Sequence, residues 1–327
     1  GMTGRPTAIR LVDAPIVGPD SHPGIGTNIQ GPSVLRVPDW IGEPLGRLYL
    51  YFADHKGAHI RLAFADEVAG PWVVHPPGAL QLADSGFPTE PPEVSVEQLD
   101  AIRARYEDVL GGDRMPSDLR GDLTIPHVAS PDVHVDEAAG EVVCYFHGLA
   151  GLGRQVSKVA VSTDGIRFRV LPGEVPHTYL RAFRHEGATY ALAMPGVVYR
   201  SADGRTGWEQ GPTLFGRDMR HSAVTVRDGT LHVFWTRVGD APEAILHSTV
   251  DLDGDWGRWR ASEPVEVLRP ERAWEGADLP VAPSIRGAAD GPVNQLRDPA
   301  LFEDGGRTFL FYAVAGESGI GLAEVTW

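Results

Sequence analysis

Short apolar runs, rich in β-branched and aromatic residues, alternate with polar turns along the whole chain. Five of these runs open with glycine, and each follows another short apolar run. The turns at 227–229 and 303–306 contain Asp-Gly pairs, which are typical of β-hairpins. The pattern therefore predicts paired strands rather than long helices. The five glycine-opened runs lie at 46–52, 140–146, 187–193, 229–235 and 306–312.

A third run follows most of these pairs and ends in a small or acidic turn, as at 162–168 and 201–208. Successive opening glycines at 140, 187 and 229 are 47 and 42 residues apart, which matches the period of about 40 to 50 residues of a propeller blade. We therefore predict an all-β fold, a single five-bladed β-propeller with approximate blades 28–75, 125–172, 177–215, 219–262 and 295–327. The segment 7–12 is expected to supply the outermost strand of the last blade.

Two longer intervals interrupt the repeat. In the first, between blades one and two, apolar residues recur every three or four positions over 94–110, and Ser95 with Gln98 resembles a capping box. We predict one helical insertion there. The second interval, roughly 260–295, is rich in proline, glycine and acidic residues. A two-domain arrangement is less favoured, because a single helix cannot bury a core of its own.

The charge balance narrows the classes of function. The 327 residues include 29 Lys+Arg and 44 Asp+Glu, a formal net charge of −15, which argues against a nucleic-acid partner because such binding needs a basic surface. No apolar run has the length of a membrane span, and the first residues lack an apolar signal core. We expect a cytoplasmic protein with no membrane partner, and the oligomeric state stays open. The single cysteine, Cys144, lies in an apolar run and is expected to be buried.

The innermost strands of a propeller begin around its axis, and the loops between second and third strands lie on the same face. Side chains at these positions are therefore predicted to converge on one site. Counting eight residues back from the opening glycines of blades two to five gives Asp132, Tyr179, His221 and Asp298. The longer first hairpin offers Asn28, Gln30 or Ser33.

Basic residues are frequent near this face, although the protein is acidic. A cationic pocket inside an acidic protein suits an acidic or modified sugar, or inorganic phosphate. Glu275, which follows Trp274 in the second insertion, adds a further candidate carboxyl. The basic candidates are His55, Lys56, His147, Arg181, Arg220, Arg237 and Arg297.

Two short motifs, Ala-Ser-Pro-Asp-Val at 129–133 and Leu-Arg-Asp-Pro-Ala at 296–300, accompany Ser-x-Asp-Gly turns at Ser162 and Ser201. With the five repeats, they resemble the five-bladed glycoside hydrolases of families 43, 32, 117 and 130. In family 43 a first-blade aspartate is the general base, a second-blade aspartate tunes the acid and a third-blade glutamate is the acid. Only Asp132 matches this pattern; the first-blade base and the third-blade acid are missing.

The resemblance implies cleavage of a glycosidic bond in a small oligosaccharide, and we expect inversion at the anomeric carbon. Glycoside hydrolysis usually needs two carboxyl groups on opposite sides of the scissile bond. The candidates for the base are Asp132 and Asp298, and those for the acid are Glu275 and His221.

Three other functions fit the same sequence. A phosphorylase would hold phosphate with Arg181, Arg220, Arg297 and Lys56, a non-catalytic propeller would only bind carbohydrate, and a lyase would act on a uronate. No nucleotide cofactor is implied, because the sequence has no glycine-rich phosphate loop in a strand-helix context. A structural calcium ion on the propeller axis is a further option.

Overall fold

Five four-stranded antiparallel sheets form the protein in a computed structural model, which describes residues 5–112 and 115–327. The innermost strands of neighbouring sheets contact each other in the order one to five and back to one, so the sheets surround a common axis. The predicted five-bladed β-propeller is therefore confirmed.

The strands follow one another outward from the axis in each of the first four blades. Blade one contains β2 (Gln30–Arg36), β3 (Leu48–Ala53), β4 (Arg61–Ala65) and β5 (Val73–His75). Blade two contains β6 (Val128–Asp136), β7 (Glu141–Gly151), β8 (Arg154–Ser162) and β9 (Arg169–Val170). Blade three contains β10 (Thr178–His185), β11 (Ala188–Met194), β12 (Val197–Ser201) and β13 (Glu209–Thr213). Blade four contains β14 (Met219–Arg227), β15 (Thr230–Arg237), β16 (Ile245–Asp251) and β17 (Val265–Leu268).

The fifth blade joins the two ends of the described chain. It contains β18 (Arg297–Asp304), β19 (Arg307–Ala313) and β20 (Ile320–Thr326), and its outermost strand is β1 (Thr7–Arg10). The pairing of β1 with β20 is antiparallel and places Thr7 opposite Thr326. The ring of blades is thus closed by backbone hydrogen bonds between strands that are far apart in sequence.

Two helices lie in the insertion between blades one and two. The first, α1 (Val96–Leu110), begins after the predicted capping box, in which Ser95 Oγ accepts from the Gln98 amide at 3.0 Å. The second, α2 (Leu119–Thr124), was not predicted, and the Asp118 side chain caps it by accepting from the Gly121 amide at 3.0 Å. Short 3-10 turns lie at Pro19–Ser21, Leu82–Asp84, Trp256–Arg258 and Ala273–Glu275.

Apolar side chains fill the spaces between neighbouring blades. Five separate clusters join blade pairs around the ring, and a sixth packs Leu99 of α1 against Leu119 and Leu123 of α2. Cys144 is buried between blades one and two, as predicted. Within the two described ranges, no helix is long and apolar enough to cross a membrane.

Every innermost strand carries a β-bulge near its start. The pairing register shifts after Gln30, Ala129, Thr178, Met219 and Arg297, and the next residue has a positive φ in four blades. The bulge defines five equivalent positions around the axis, occupied by Gly31, Ser130, Tyr179, Arg220 and Asp298.

This equivalence corrects the predicted alignment of Asp132 and His221 with Asp298. The hairpin of blade two has a four-residue turn at 137–140, whereas that of blade five has only two residues, 305–306. In blade two, counting eight residues back from the glycine therefore gives Asp132, which lies two positions after the bulge residue Ser130. In blade four the same count gives the residue one position after the bulge. The reason is that the part of β14 from Ser222 to the hairpin turn is one residue longer than the corresponding part of β18 in blade five.

Candidate active site

Arg181 closes the propeller channel near its middle. Its guanidinium donates to the carbonyl oxygens of Pro32, Pro131, Ser222 and Pro299 at 2.6 to 3.2 Å. These acceptors belong to the innermost strands of the four other blades, so the side chain must lie on the axis. Arg181 is only 3% exposed. It connects the blades and separates the channel into two ends.

Asp132 is the ion-pair partner of Arg181. Its Oδ1 lies 3.3 Å from Arg181 Nη1, while its Oδ2 accepts from the Ala182 amide at 2.8 Å and lies 2.6 Å from His134 Nε2. Burial raises the pKa of this carboxyl, but the charge and hydrogen bond of His134, with Arg181, outweigh burial and lower the pKa below its usual value. Asp132 is therefore a satisfied, ionised structural group.

The end of the channel that holds Asp132 opens into a cavity of about 480 Å³, which we call the lower cavity. Its walls are formed by later residues of the innermost strands, including Val133, His134, Val224 and Leu301. At the middle of the axis the Arg181 guanidinium takes the space that a calcium ion would need at that level. Over residues 5–112 and 115–327, no three His, Cys, Asp or Glu side chains are grouped as a metal site.

The opposite end of the channel holds a smaller cavity of about 140 Å³, the axial pocket. It is formed by the starts of the innermost strands, by loops on the same face and by α2. Predicted residues from blades one, three, four and five line it, and its wall consists of Gln30, His55, Asp122, Gln155, Tyr179, Met194, Arg220, His221, Gly287, Arg297, Asp298 and Glu317.

Asp298 lies at the bottom of the axial pocket, at the bulge position of blade five. Its Oδ2 accepts from the Gly31 amide at 3.1 Å, and its Oδ1 is 3.8 Å from His221 Nδ1. Burial and the negative charge of Glu317 raise the pKa of Asp298 to about 6, despite the nearby arginines. Asp298 thus changes its protonation state close to neutral pH.

Two neutral polar side chains in the axial pocket have unsatisfied hydrogen-bonding capacity. Both amide atoms of Gln30 and both ring nitrogens of His221 are buried without a hydrogen-bond partner in the described parts of the chain. Each residue is 1% exposed. Burial lowers the pKa of His221 well below its usual value, so the ring is neutral. Unpaired buried groups are costly, and a ligand with hydroxyl groups would satisfy these two.

Glu317 lies at the centre of a fully paired cluster beside Asp298. Its Oε1 accepts from the Ala289 amide at 2.8 Å and from Arg297 Nη1 at 3.2 Å, and its Oε2 accepts from Asn28 Nδ2 at 3.3 Å. His55 Nδ1 is 3.7 Å from Oε2. Burial opposes ionisation, but these contacts lower the pKa of Glu317 to about 2 and raise that of His55. Both groups are therefore charged, and no oxygen of Glu317 is left for a substrate proton.

Asp122 is the second carboxyl that can reach a substrate in the axial pocket. It lies on α2, and its Oδ1 is 3.9 Å from His55 Nε2. Its side chain is 21% exposed. Burial raises the pKa of Asp122 above its usual value, and His55 only partly offsets the shift. Asp122 was not among the predicted site residues. The signal that could have indicated α2, and with it Asp122, is Asp118 as a helix cap followed by a short helical segment.

The three cations of the axial pocket are each paired with a carboxylate. Arg220 Nε donates to both oxygens of Glu243 at 2.9 and 2.8 Å, while Arg297 and His55 face Glu317. The predicted excess of positive charge is therefore balanced by the carboxylates of Glu243 and Glu317.

Lys56 and Arg237 lie at the rim instead of in the pocket wall. Lys56 Nζ is 2.9 Å from Asp118 Oδ2, and Arg237 Nε is 3.0 Å from Asp240 Oδ1. Both basic side chains are about 40% exposed. The structure does not support their predicted contact with substrate, because ion pairs with Asp118 and Asp240 hold the two side chains at the surface.

His147 lies behind the pocket wall. Its ring is 4.8 Å from the ring of Tyr179, which in turn is 4.7 Å from that of His221. Its Nδ1 is hydrogen-bonded to Ser130, and burial lowers its pKa well below the usual value. His147 therefore supports the Tyr179 side chain as a neutral packing group.

Glu275 is remote from this site, which corrects its prediction as the acid. Its carboxylate is fully buried and accepts from Arg10 Nε at 2.8 Å and from the Tyr312 hydroxyl at 2.8 Å. The Glu271 and Arg272 amides donate to the other oxygen at 3.0 and 3.2 Å. Glu275 thus joins the second insertion to β1 and β19, and all of its acceptor capacity is used.

Comparison with known proteins identifies one sequence relative of this chain. No protein-family model matches the sequence. The uncharacterized protein R118 of Acanthamoeba polyphaga mimivirus is 36% identical over an alignment of 324 residues, which covers 91% of this chain and 83% of that protein.

Solved structures of glycoside hydrolases share the fold at low sequence identity. A family 43 β-xylosidase/α-arabinofuranosidase from a compost microbial metagenome, solved with xylotriose, is 13% identical with a TM-score of 0.55, over 98% of this chain and 94% of that chain. A family 43 enzyme from Xanthomonas citri is 13% identical with a TM-score of 0.56, over 97% and 91%. An exo-β-1,3-galactanase from Phanerochaete chrysosporium is 12% identical with a TM-score of 0.54, over 98% and 64%.

Proposed function

We propose that this chain, which belongs to the same family as protein R118 of Acanthamoeba polyphaga mimivirus, is an inverting glycosidase with Asp298 as general base and Asp122 as general acid. The observation that carries the proposal is the axial pocket itself. It combines two carboxyl groups of raised pKa with polar side chains that have no partner in the described protein.

The surroundings of Asp298 suit a general base. One oxygen is fixed by the Gly31 amide, and the other faces the pocket beside His221. A pKa of about 6 leaves the carboxylate mostly ionised at pH 7 and still basic enough to accept a proton from water. The activated water attacks the anomeric carbon while Asp298 takes its proton.

The position of Asp122 suits the general acid. Asp122 lies on α2 and lines both the axial pocket and a neighbouring cavity, whereas Asp298 lines the axial pocket alone. A raised pKa favours the protonated carboxyl, which donates its proton to the departing oxygen as the glycosidic bond breaks. His221 is neutral and Glu275 is remote, so neither takes this role in the proposal.

We infer that the sugar at the bottom of the pocket is neutral. The cations around it are already paired, so a uronate or a phosphate would have to displace a protein carboxylate. Hydroxyl groups of a neutral sugar would instead satisfy Gln30 and His221, and the ring would lie against Tyr179.

The experiment uses matched glycosides with poor and good leaving groups, such as the methyl and 2,4-dinitrophenyl glycosides of xylose, arabinose, galactose, glucose and glucuronic acid, with and without phosphate. Asp298→Asn is expected to lose about 10²–10⁴ in kcat/KM on both substrates, because both need an activated water. Asp122→Asn is expected to lose as much on the methyl glycoside but little on the dinitrophenyl glycoside, whose leaving group needs no proton.

Asp304→Asn is the matched control, because Asp304 lies at the exposed end of the same strand and pairs only with Arg36. Proton NMR of the first product formed should show the anomer opposite to that of the substrate. Equal losses for Asp298→Asn and Asp304→Asn would refute the proposed base. Binding without turnover on every substrate would favour a carbohydrate-binding propeller, a reading consistent with Gly31 at the first-blade position.

A further inference from the structure

The axial pocket is bordered on one side by a row of further cavities. A second cavity of about 240 Å³ shares Asp122, Gln155, Met194, Arg220 and Gly287 with it. A third cavity of about 360 Å³ continues from the second along α1. Because consecutive cavities share wall residues, they lie next to one another between the helical insertion and the propeller, and we treat them together as one cleft. The second and third cavities share Tyr106, Leu110, Leu123 and Gly153.

The character of the wall changes along this cleft. The axial end contains charged and amide groups. The part between α1, α2 and blades three and four combines aliphatic side chains with Arg286 and the polar residues that it shares with the axial pocket. At its outer end, Val109 remains 58% exposed although it is a large apolar residue. Apolar surface that continues from a polar pocket favours a ligand with one polar and one apolar end. The apolar wall includes Ile102, Leu110, Leu119, Leu123, Met194 and Val238.

We propose that this cleft, which we name the aglycone cleft, binds an apolar alkyl or aryl leaving group, so that the substrate is a glycoside of an apolar alcohol rather than a longer oligosaccharide. The inference rests on the proposed function. Asp122 lies where the axial pocket meets the cleft, so the departing oxygen would lie beside it while the apolar group extends along α1.

A second sugar would fit this wall poorly. Sugar rings need donors and acceptors for their hydroxyl groups, and the outer part of the cleft offers few besides Arg105. Aromatic faces are the usual platform for sugar rings, and Tyr106 is the one aromatic side chain among the described residues that line the second and third cavities. Aliphatic walls instead gain free energy from every methylene that they remove from water.

The test compares the methyl and hexyl β-glycosides of the four neutral sugars with the corresponding disaccharides, by calorimetric binding to Asp298→Asn and by turnover in the parent protein. The hexyl glycoside is expected to bind at least about tenfold more tightly than the methyl glycoside, since part of five methylenes would be buried. Val109→Asp should reduce this preference at least about threefold, because it places a charge in the wall.

Val96→Asp is the matched control, since Val96 is on the same helix, 63% exposed, and outside the cleft wall. Leu123→Ser provides a second probe nearer the junction, with urea unfolding to check that the protein is folded. Equal binding of the methyl and hexyl glycosides, tighter binding of a disaccharide, or equal effects of Val109→Asp and Val96→Asp would overturn the inference. Tight hexyl binding without turnover would instead refute the glycosidase while the apolar site remained.

Discussion

The two ends of the propeller channel each contain a buried aspartate, and their surroundings are opposite. Asp132 is surrounded by Arg181, His134 and a backbone amide, and its pKa is lowered. Asp298 has one amide donor and the negative charge of Glu317 nearby, and its pKa is raised to about 6. Equal burial thus produces a structural anion at one end and a group that exchanges protons at the other.

The comparison shows how polar partners separate stability from function within one channel. At the lower end the Arg181 guanidinium donates to carbonyl oxygens of four innermost strands, so it holds the blades together. At the axial pocket, Gln30 and His221 keep unsatisfied atoms, which the fold tolerates at a cost in free energy. The ligand that we propose for this pocket would use that unpaired capacity.

The largest effect is expected from Arg181→Met. This change removes four carbonyl contacts and leaves the buried Asp132 without its arginine, so the free energy of unfolding should fall by about 5 kcal/mol. Urea denaturation measures the change, with Arg36→Met at the exposed Asp304 pair as control, expected to cost less than about 1 kcal/mol. Adding Asp132→Leu should recover part of the loss; similar costs for Arg181→Met and Arg36→Met would contradict the bracing role.

The second largest effect is a change in the free energy of unfolding, which should have opposite signs for the aspartates at the two ends of the channel. Asp132→Asn removes a paired anion and should lower the free energy of unfolding by about 3 kcal/mol at pH 8. Because the pKa of Asp298 is raised, its contribution to stability is present below its unfolded value and is lost as pH rises through about 6. Asp298→Asn should therefore raise the free energy of unfolding at pH 8 by about 2 kcal/mol.

The same two variants at pH 4 provide the control for that sign. Asp298 is protonated there, so Asp298→Asn should no longer stabilise the protein. Parallel behaviour of both variants at pH 8 would show that the two ends do not differ as described. Denaturant midpoints at the two pH values are sufficient for the measurement.

A moderate effect is expected in the pH dependence of kcat/KM. On the dinitrophenyl glycoside, whose leaving group needs no proton from Asp122, kcat/KM should rise about tenfold between pH 5 and pH 7 as the Asp298 carboxyl ionises. Glu317→Gln removes the negative charge that raises the pKa, so this rise should move to lower pH. A fall in kcat/KM on that substrate across the same interval would contradict the role of Asp298 as the base.

The smallest effects should come from the rim. Lys56→Met and Arg237→Met remove exposed side chains whose partners, Asp118 and Asp240, are also at the surface. Each change should alter both kcat/KM and stability by less than about 1 kcal/mol. A large loss of kcat/KM in either variant would extend the functional end of the channel to the rim.

Much of the fold could be predicted from the sequence because strand periodicity and turn residues are local signals. The capping box at Ser95 is local in the same sense, and α1 begins after it. Which of Asp132 and Asp298 occupies the bulge position could not be predicted from local signals. It depended on the four-residue turn at 137–140, which changes the register of one blade by two residues.

The ion-pair partners of the site residues could not be predicted from the sequence either. Arg220 and Arg297 were predicted as substrate-binding cations, but each is paired with a glutamate from a loop of its own blade, Glu243 and Glu317. Asp122 comes from an insertion that belongs to no blade, so no repeat pointed to it. Side chains contributed by irregular segments become visible only when the ring is assembled.

The pairing of β1 with β20 also has a consequence for the kinetics of folding. Contacts between strands so far apart in sequence give a high contact order, and the entropy cost of closing such a loop must be met before the fifth sheet is complete. Four blades can form from neighbouring segments, whereas the fifth waits for both ends of the described chain. Until then β20 presents an unpaired edge, and this edge is where we expect a partly folded chain to associate with other molecules.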